Sequence, residues 1–250
     1  MSLSKPSLQA LKISKAFISG LVQVQVLQQL SISIYPAELS LIVGPSGCGK
    51  STLLSIISGL QNSDAGQVLA LGQDISQSSR KSLERFRLHH TGFIFQGFNL
   101  FSALTAYEQV ALPLSYLKFT AAEIKRRTHT ALEEVGMSHR MQLRPHALSG
   151  GEKQRIAIAR AIAKAPELLF ADEPTSALDG VNGQQIIDLL HRIARLHKNT
   201  VLCVSHDPRL IRHADRVLTM EDGKIHRDWR KENDSNPLVE YTDVQEYSHE

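Results

Sequence analysis

Apolar and polar residues alternate through "VQVQVLQQLSISI" (22–34), the period of a strand with one buried face. Pro36 then marks a turn, and "LSLIV" (39–43) reads as a short buried strand. "STLLSIISGL" changes to helical spacing, with Gly59 as its stop. "GQVLALGQDI" reads as a strand and turn punctuated by Gly66 and Gly72, and "TGFIFQGFNLF" as a strand ending near Gln96. From about Ala103 to Leu148 the texture is helical. In "TAAEIKRRTHTALEEVG", Ile124, Ala131, Leu132 and Val135 share a helical face, and Gly136 lies beyond its end. Strand and helix then alternate again: "ELLFADEP", the amphipathic "GQQIIDLLHRIARLHK", "TVLCVSHD", and a hairpin in "RVLTMEDGKI" turning at Asp222-Gly223. This order predicts an α/β chain with a largely parallel sheet covered on both faces and interrupted by a helical insertion.

One junction in this pattern carries chemistry. "GPSGCGKST" follows the strand 39–43 and precedes the helix: Gly44, Pro45, Ser46, Gly47, Cys48, Gly49, Lys50, Ser51, Thr52. Small residues let backbone N–H groups turn inward around an anion, and a helix N-terminus adds partial positive charge. The spacing G-x-x-x-x-G-K-[ST] is met by Gly44, Gly49, Lys50 and Ser51. It places Lys50 on the β- and γ-phosphates of a nucleoside triphosphate and Ser51 on Mg²⁺. Two acids end another apolar strand. Asp172 is placed to hold Mg²⁺ beside Ser51, and Glu173 to orient or deprotonate a water. Ser149, Gly150 and Gly151 open the helix "EKQRIAIARAIAKA". This is either a second anion-binding helix start or an ordinary capped one.

Composition narrows the class. The 250 residues are 42% apolar and 21% charged, the balance of a globular protein. No run approaches the roughly 18 apolar residues that span a bilayer, and the N-terminus lacks a signal-peptide core, so a cytoplasmic location is expected. From Glu221 onward four Lys/Arg face nine Asp/Glu, leaving a basic surplus elsewhere that is too mild for a nucleic-acid interface. Cys48 and Cys203 are too few for a disulfide framework.

The segments "GPSGCGKST", "IFQ", "LSGGEKQR", "LLFADEP", "SALD" and "SHD" stand in the order of the ATP-binding cassette (ABC) ATPases, and the chain resembles that family from about residue 7 to 227. The resemblance implies a P-loop NTPase (RecA-like) core, an N-terminal antiparallel β-subdomain and an inserted α-helical subdomain. On this reading the core is 1–97 and 165–227, the helical part 98–164, and 228–250 a polar tail. It implies a head-to-tail, ATP-dependent homodimer with ATP and Mg²⁺ held between the phosphate loop of one subunit and Ser149, Gly150 and Gly151 of the other. By the same resemblance Gln96 senses Mg²⁺ and the attacking water, Asp179 couples the two sites, and His206 contacts the γ-phosphate and holds Glu173. Asp179 also reads as a helix-capping aspartate. Phe17 stands either where the family stacks an aromatic on adenine or in the core.

Cassettes of this kind work with a membrane permease. Phe98, Leu100, Phe101, Leu104 and Tyr107 either line a groove for a permease helix or pack the helical subdomain. "TGFIFQGFNLFSALTAYEQVALPL" resembles the branch serving macrolide efflux, lipoprotein release and glycolipid export (the DevA type). The resemblance thus implies an ATPase peripheral to the cytoplasmic face of the membrane through its permease, without nucleic acid. An importer cassette, or one that signals through a permease-like partner, fits the same motifs.

Overall fold

The computed structural model describes residues 5–20 and 22–231. Its strands are β1 (Leu8–Ser19), β2 (Val22–Ile34), β3 (Leu39–Val43), β4 (Ala65–Ala70), β5 (Gln73–Asp74), β6 (Thr91–Ile94), β7 (Leu168–Asp172), β8 (Thr200–Val204), β9 (Arg216–Glu221) and β10 (Lys224–Arg230). Its α-helices are α1 (Lys50–Ile57), α2 (Arg80–His90), α3 (Ala106–Ser115), α4 (Ala121–Glu134), α5 (Gly150–Ile162), α6 (Gly180–Leu196) and α7 (Pro208–His213).

The strands form a four-stranded antiparallel sheet, β2-β1-β4-β5, and a six-stranded sheet, β10-β9-β3-β8-β7-β6. The larger sheet is parallel except for the β9–β10 hairpin. Its central strands β3, β8 and β7 are mostly apolar because both faces are covered, which erases the alternation expected of a half-buried strand. Leu41, Leu169, Ala171, Val201 and Cys203 join the core formed with α3–α7. Ile42, Leu168, Phe170, Leu202 and Val204 join the other core, with α1, α2 and the antiparallel sheet. Each such large side chain contributes about 1.5–3 kcal/mol on burial.

The alternating strand β2 behaves differently. Leu27, Leu30, Ile32 and Ile34 are buried, with the step from 27 to 30 broken at Gln29, whose φ is 48°. Residues 22–25 are exposed on both faces, contrary to the alternation. The cause is reach: β4 pairs with β1 only as far as Ser14–Ala65, so the β1–β2 tip has no third strand behind it.

The helical insertion is α3, α4 and α5, each started by a capping box: Thr105–Glu108, Thr120–Glu123 and Ser149–Glu152. The expected face of α4 is largely buried, with Ala131 and Leu132 inside and Val135 just past its end. Three readings need correction. Helix α2 was not foreseen, because it buries only Leu83 and Phe86; Ser79, accepting from Ser82 N, was its one signal. The strand expected to end near Gln96 stops at Ile94, so Gln96 lies on the following turn. Strand β10 runs to Arg230, past the boundary placed at 228; most of the expected tail lies outside the described residues. Among the described residues no helix is long and apolar enough to cross a membrane.

Candidate nucleotide site

The phosphate loop leaves the C-terminal end of β3, in the middle of the parallel sheet, and feeds α1. Two of its glycines are sterically obligatory. A Cβ on Gly44 would collide with the Met220 carbonyl oxygen, and one on Gly49 would lie 2.9 Å from the Val26 oxygen. Gly49 is also the N-cap of α1, at φ 102°, and no side chain caps this helix. There is no acid in its first turn. The first N–H groups of a helix lack intrahelical acceptors, so this end is left to bind an anion. Pro45, Ser46 and Gly47 are exposed at the loop's tip, Thr52 is half-buried, and Lys50 is buried. Lys50 Nζ donates to the carbonyl oxygens of Gly44 and Pro45, both at 2.8 Å, which curls the cation over the loop. Burial raises the pKa of the Cys48 thiol, with the Lys50 charge opposing.

Strand β7, next but one to β3, delivers the two acids to the same edge. Ser51 Oγ donates to Asp172 Oδ1 at 3.0 Å. Burial pushes the Asp172 carboxyl above its ordinary value; the Ser51 hydrogen bond and Lys50 oppose this, and Glu173 adds to it. A hydroxyl and a carboxylate in contact are the hard oxygen donors that suit Mg²⁺, which completes its shell with waters and phosphate oxygens. Among the described residues no group of three or more His, Cys, Asp or Glu forms a metal cluster.

Glu173 follows at φ 48°, a strained setting for a non-glycine residue. Its N–H donates to the Val204 oxygen at 2.9 Å, which ties it to the end of β8. Its carboxylate is held from both sides: Ser205 Oγ donates to Oε2 at 3.0 Å, and His206 Nδ1 lies 2.9 Å from Oε1. An ionised carboxylate only accepts, so Nδ1 carries the proton and Nε2 is left for another partner. Ser205 was not singled out from sequence; a hydroxyl beside a strand-end histidine was the available signal. Gln96 is exposed on the turn after β6, and the pairing of Ile94 with Ala171 carries it to the edge that bears Asp172.

The remaining residues sit elsewhere. Phe17 is not in the core: it is 40% exposed on the hairpin, paired with Val24, and Lys15 Nζ lies 5.5 Å from its ring centroid. The hairpin approaches the phosphate loop through Val26 and Leu27, which border Gly49. Ser149 caps α5: its Oγ accepts from Glu152 N at 3.3 Å, while Ser149 N donates to Glu152 Oε2 at 2.8 Å. The Ser149 N–H holds the Glu152 carboxyl below its usual range, helped by Arg140, whose Nε is 3.0 Å away. Gly150 packs near Leu178 and Gly151 against Asn182. Asp179 caps α6, accepting from Asn182 N at 2.9 Å and Nδ2 at 2.7 Å. Leu100 and Tyr107 pack on the core, whereas Phe101 is 57% exposed.

The chain is similar to known proteins in sequence and fold. A macrolide export ATP-binding/permease protein, MacB 2 of Aeromonas hydrophila, is 39% identical over 226 residues, covering 90% of this chain and 35% of the relative. The chain spans about a third of the length of the curated relatives it matches. The ATP-binding cassette MJ0796, solved as a dimer in a post-hydrolysis state bound to ADP and Pi, superposes with a TM-score of 0.83 at 33% identity, covering 89% of this chain and 98% of that one. The cbiO1 protein of Clostridium perfringens, part of the ABC transporter complex cbiONQ, also reaches 0.83, at 27% identity, covering 96% and 92%. The family model described as ABC transporter matches residues 27–176, more than half of the sequence, and the chain belongs to that family.

Proposed function

We propose that the chain binds and hydrolyses ATP to power an exporter, paired head-to-tail with a second copy and driving a membrane permease. The observation that carries this reading is the convergence, at one edge of the parallel sheet, of the uncapped loop-and-helix start, the Ser51–Asp172 pair and the clamped Glu173. Residues 44–52 wrap the triphosphate, their N–H groups and the α1 terminus facing its charge. Lys50 donates to the β- and γ-phosphate oxygens. Ser51 and Asp172 would hold Mg²⁺, with Gln96 nearby, and the ion would supply positive charge against the triphosphate. Glu173 takes the proton of the attacking water, and Ser205 and His206 fix its direction. His206 Nε2 faces the γ-phosphate, and Phe17 lies under the adenine.

Ser149, Gly150 and Gly151 complete the pocket of the second copy, and Asp179 lies between the two pockets. The dimer of MJ0796 with ADP and Pi supports that arrangement. The γ-phosphate favours the closed pair because the contacts across the interface require it, and a ligand shifts an equilibrium only through unequal affinity for its two states. The permease docks on the segment that follows Gln96; a groove of about 370 Å³ bordered by Arg87, Phe93, Pro113, Arg160 and Lys164 offers a seat, joined to that segment by the hydrogen bonds of Arg160 to the Phe98 and Asn99 carbonyl oxygens. The likeness to MacB, a macrolide export protein, supports export and a macrolide-like cargo.

Glu173→Gln tests the reading. It keeps ATP affinity but lowers turnover at least about 100-fold, the loss of a positioned general base, and it accumulates as a closed dimer in ATP by sedimentation. Normal hydrolysis by this variant contradicts the assignment.

A further inference from the structure

One side chain bridges the loop that carries His206 and the loop that carries Asp179. Arg209, in the first turn of α7, donates Nε to Asp207 Oδ1 at 2.9 Å and Nη2 to Asp207 Oδ2 at 2.6 Å. Its remaining arm, Nη1, crosses to the Gly180 carbonyl oxygen at 2.7 Å. The absence of a side chain at Gly183 makes the crossing possible, since a Cβ there would lie 2.6 Å from both Nη atoms. Both ends of the bridge are anchored. Asp207 accepts from Thr175 Oγ1 at 2.7 Å, and its N–H donates at 3.1 Å to Ser205 Oγ, the hydroxyl that holds Glu173. At the far end Asp179 grips Asn182, whose amide fills the space beside Gly151: a Cβ on Gly151 would lie 2.6 Å from Asn182 Oδ1.

On the proposed function, on which this inference rests, Gly151 and Asp179 face the partner's nucleotide while Glu173 serves the chain's own. We propose that Arg209 is a positioning residue that locks these two loops at one spacing, so that docking of the second copy on the Gly151–Asp179 side is transmitted to the Glu173 carboxylate. The role needs a planar fork that holds a carboxylate and a carbonyl at once. A lysine, with a point charge and no fork, does not reproduce it. A simple ion pair between Arg209 and Asp207 would tolerate lysine.

The test compares the full chain with Arg209→Ala and Arg209→Lys by ATP titration, steady-state hydrolysis and thermal unfolding. Arg209→Ala keeps ATP affinity within about twofold, because residues 44–52 are untouched, and lowers kcat about tenfold with a Hill coefficient near 1, a coupling-sized loss. Arg209→Lys recovers the melting temperature but not kcat. Full recovery of kcat by lysine, or wild-type kcat in Arg209→Ala, overturns the inference and leaves the proposed function standing. Should Arg209→Ala not fold, Arg209→Lys alone decides. An unaltered chain that binds no ATP overturns the proposed function before any variant is compared, and the inference with it.

Discussion

Two helix starts in this molecule solve the same electrostatic problem in opposite ways. Helix α1 begins at Gly49 with no side-chain cap and no acid in its first turn. Helix α5 begins at Ser149 with a complete capping box and Glu152 in its first turn, itself paired with Arg140. The first leaves its N–H groups for an outside anion. The second satisfies two of its own, those of Ser149 and Glu152, and leaves the N–H groups of Gly150 and Gly151. A carboxylate already stands at the second start, so α5 is a poor anion site alone. On the proposed function, the second copy brings the phosphate to it. The difference teaches that Gly-rich helix starts are not equivalent: the cap decides which one binds by itself.

That contrast is exposed by substitution. Lys50→Ala removes the cation at the open start, and ATP affinity falls about 10- to 100-fold, the worth of a charge-assisted hydrogen bond at roughly 1.5–3 kcal/mol; an ATP titration showing no change would remove the asymmetry. Thiol labelling sharpens the picture of the loop. Burial pushes the Cys203 thiol up to about 12, so it stays unlabelled at pH 8 in the folded chain. The Cys48 pKa is also raised, but this thiol lies beside the Lys50 charge. Because only thiolate reacts, its labelling is slow at pH 7, accelerates as pH rises toward its elevated pKa, and is blocked by ATP; ATP-independent labelling would place the nucleotide elsewhere. The smallest effect belongs to the closed start. Ser149→Ala loses a cap worth about 1 kcal/mol and lowers Tm by about 2–4 °C, while ATP binding to the monomer is unchanged. A loss of monomer affinity like that of Lys50→Ala would mean that α5 binds the anion in the same subunit.

Much of this was legible in the chain. The turn from "LSLIV" into "GPSGCGKST" and the acids ending "LLFADEP" are local patterns, and the structure brings Ser51 and Asp172 into contact. The strand–helix order after residue 165 follows from apolar runs that both faces of the sheet require. What escaped reading is non-local or weakly apolar. Helix α2 carries too few buried residues to show a period. The exposed tip of β2 depends on how far β4 reaches along β1, which no residue of β2 encodes. Ser205 and Arg209 acquire their partners only when β7 and α6 fold beside them. For Ser149 and Asp179, helix capping and a second role were indistinguishable in sequence. The folded chain displays the cap; the second role is the one proposed for the paired chains.

Mixing variants measures the second role directly. Lys50→Ala and Ser149→Phe each damage both pockets of their own dimer. In a heterodimer one pocket carries both lesions and the other carries neither. The account predicts that ATP hydrolysis, undetectable in either parent, appears on mixing and rises toward half the unaltered rate per heterodimer, about a quarter for a 1:1 mixture that re-pairs at random. A mixture as inactive as its parents, with heterodimers formed, or a Ser149→Phe chain as active as the unaltered one, would contradict it.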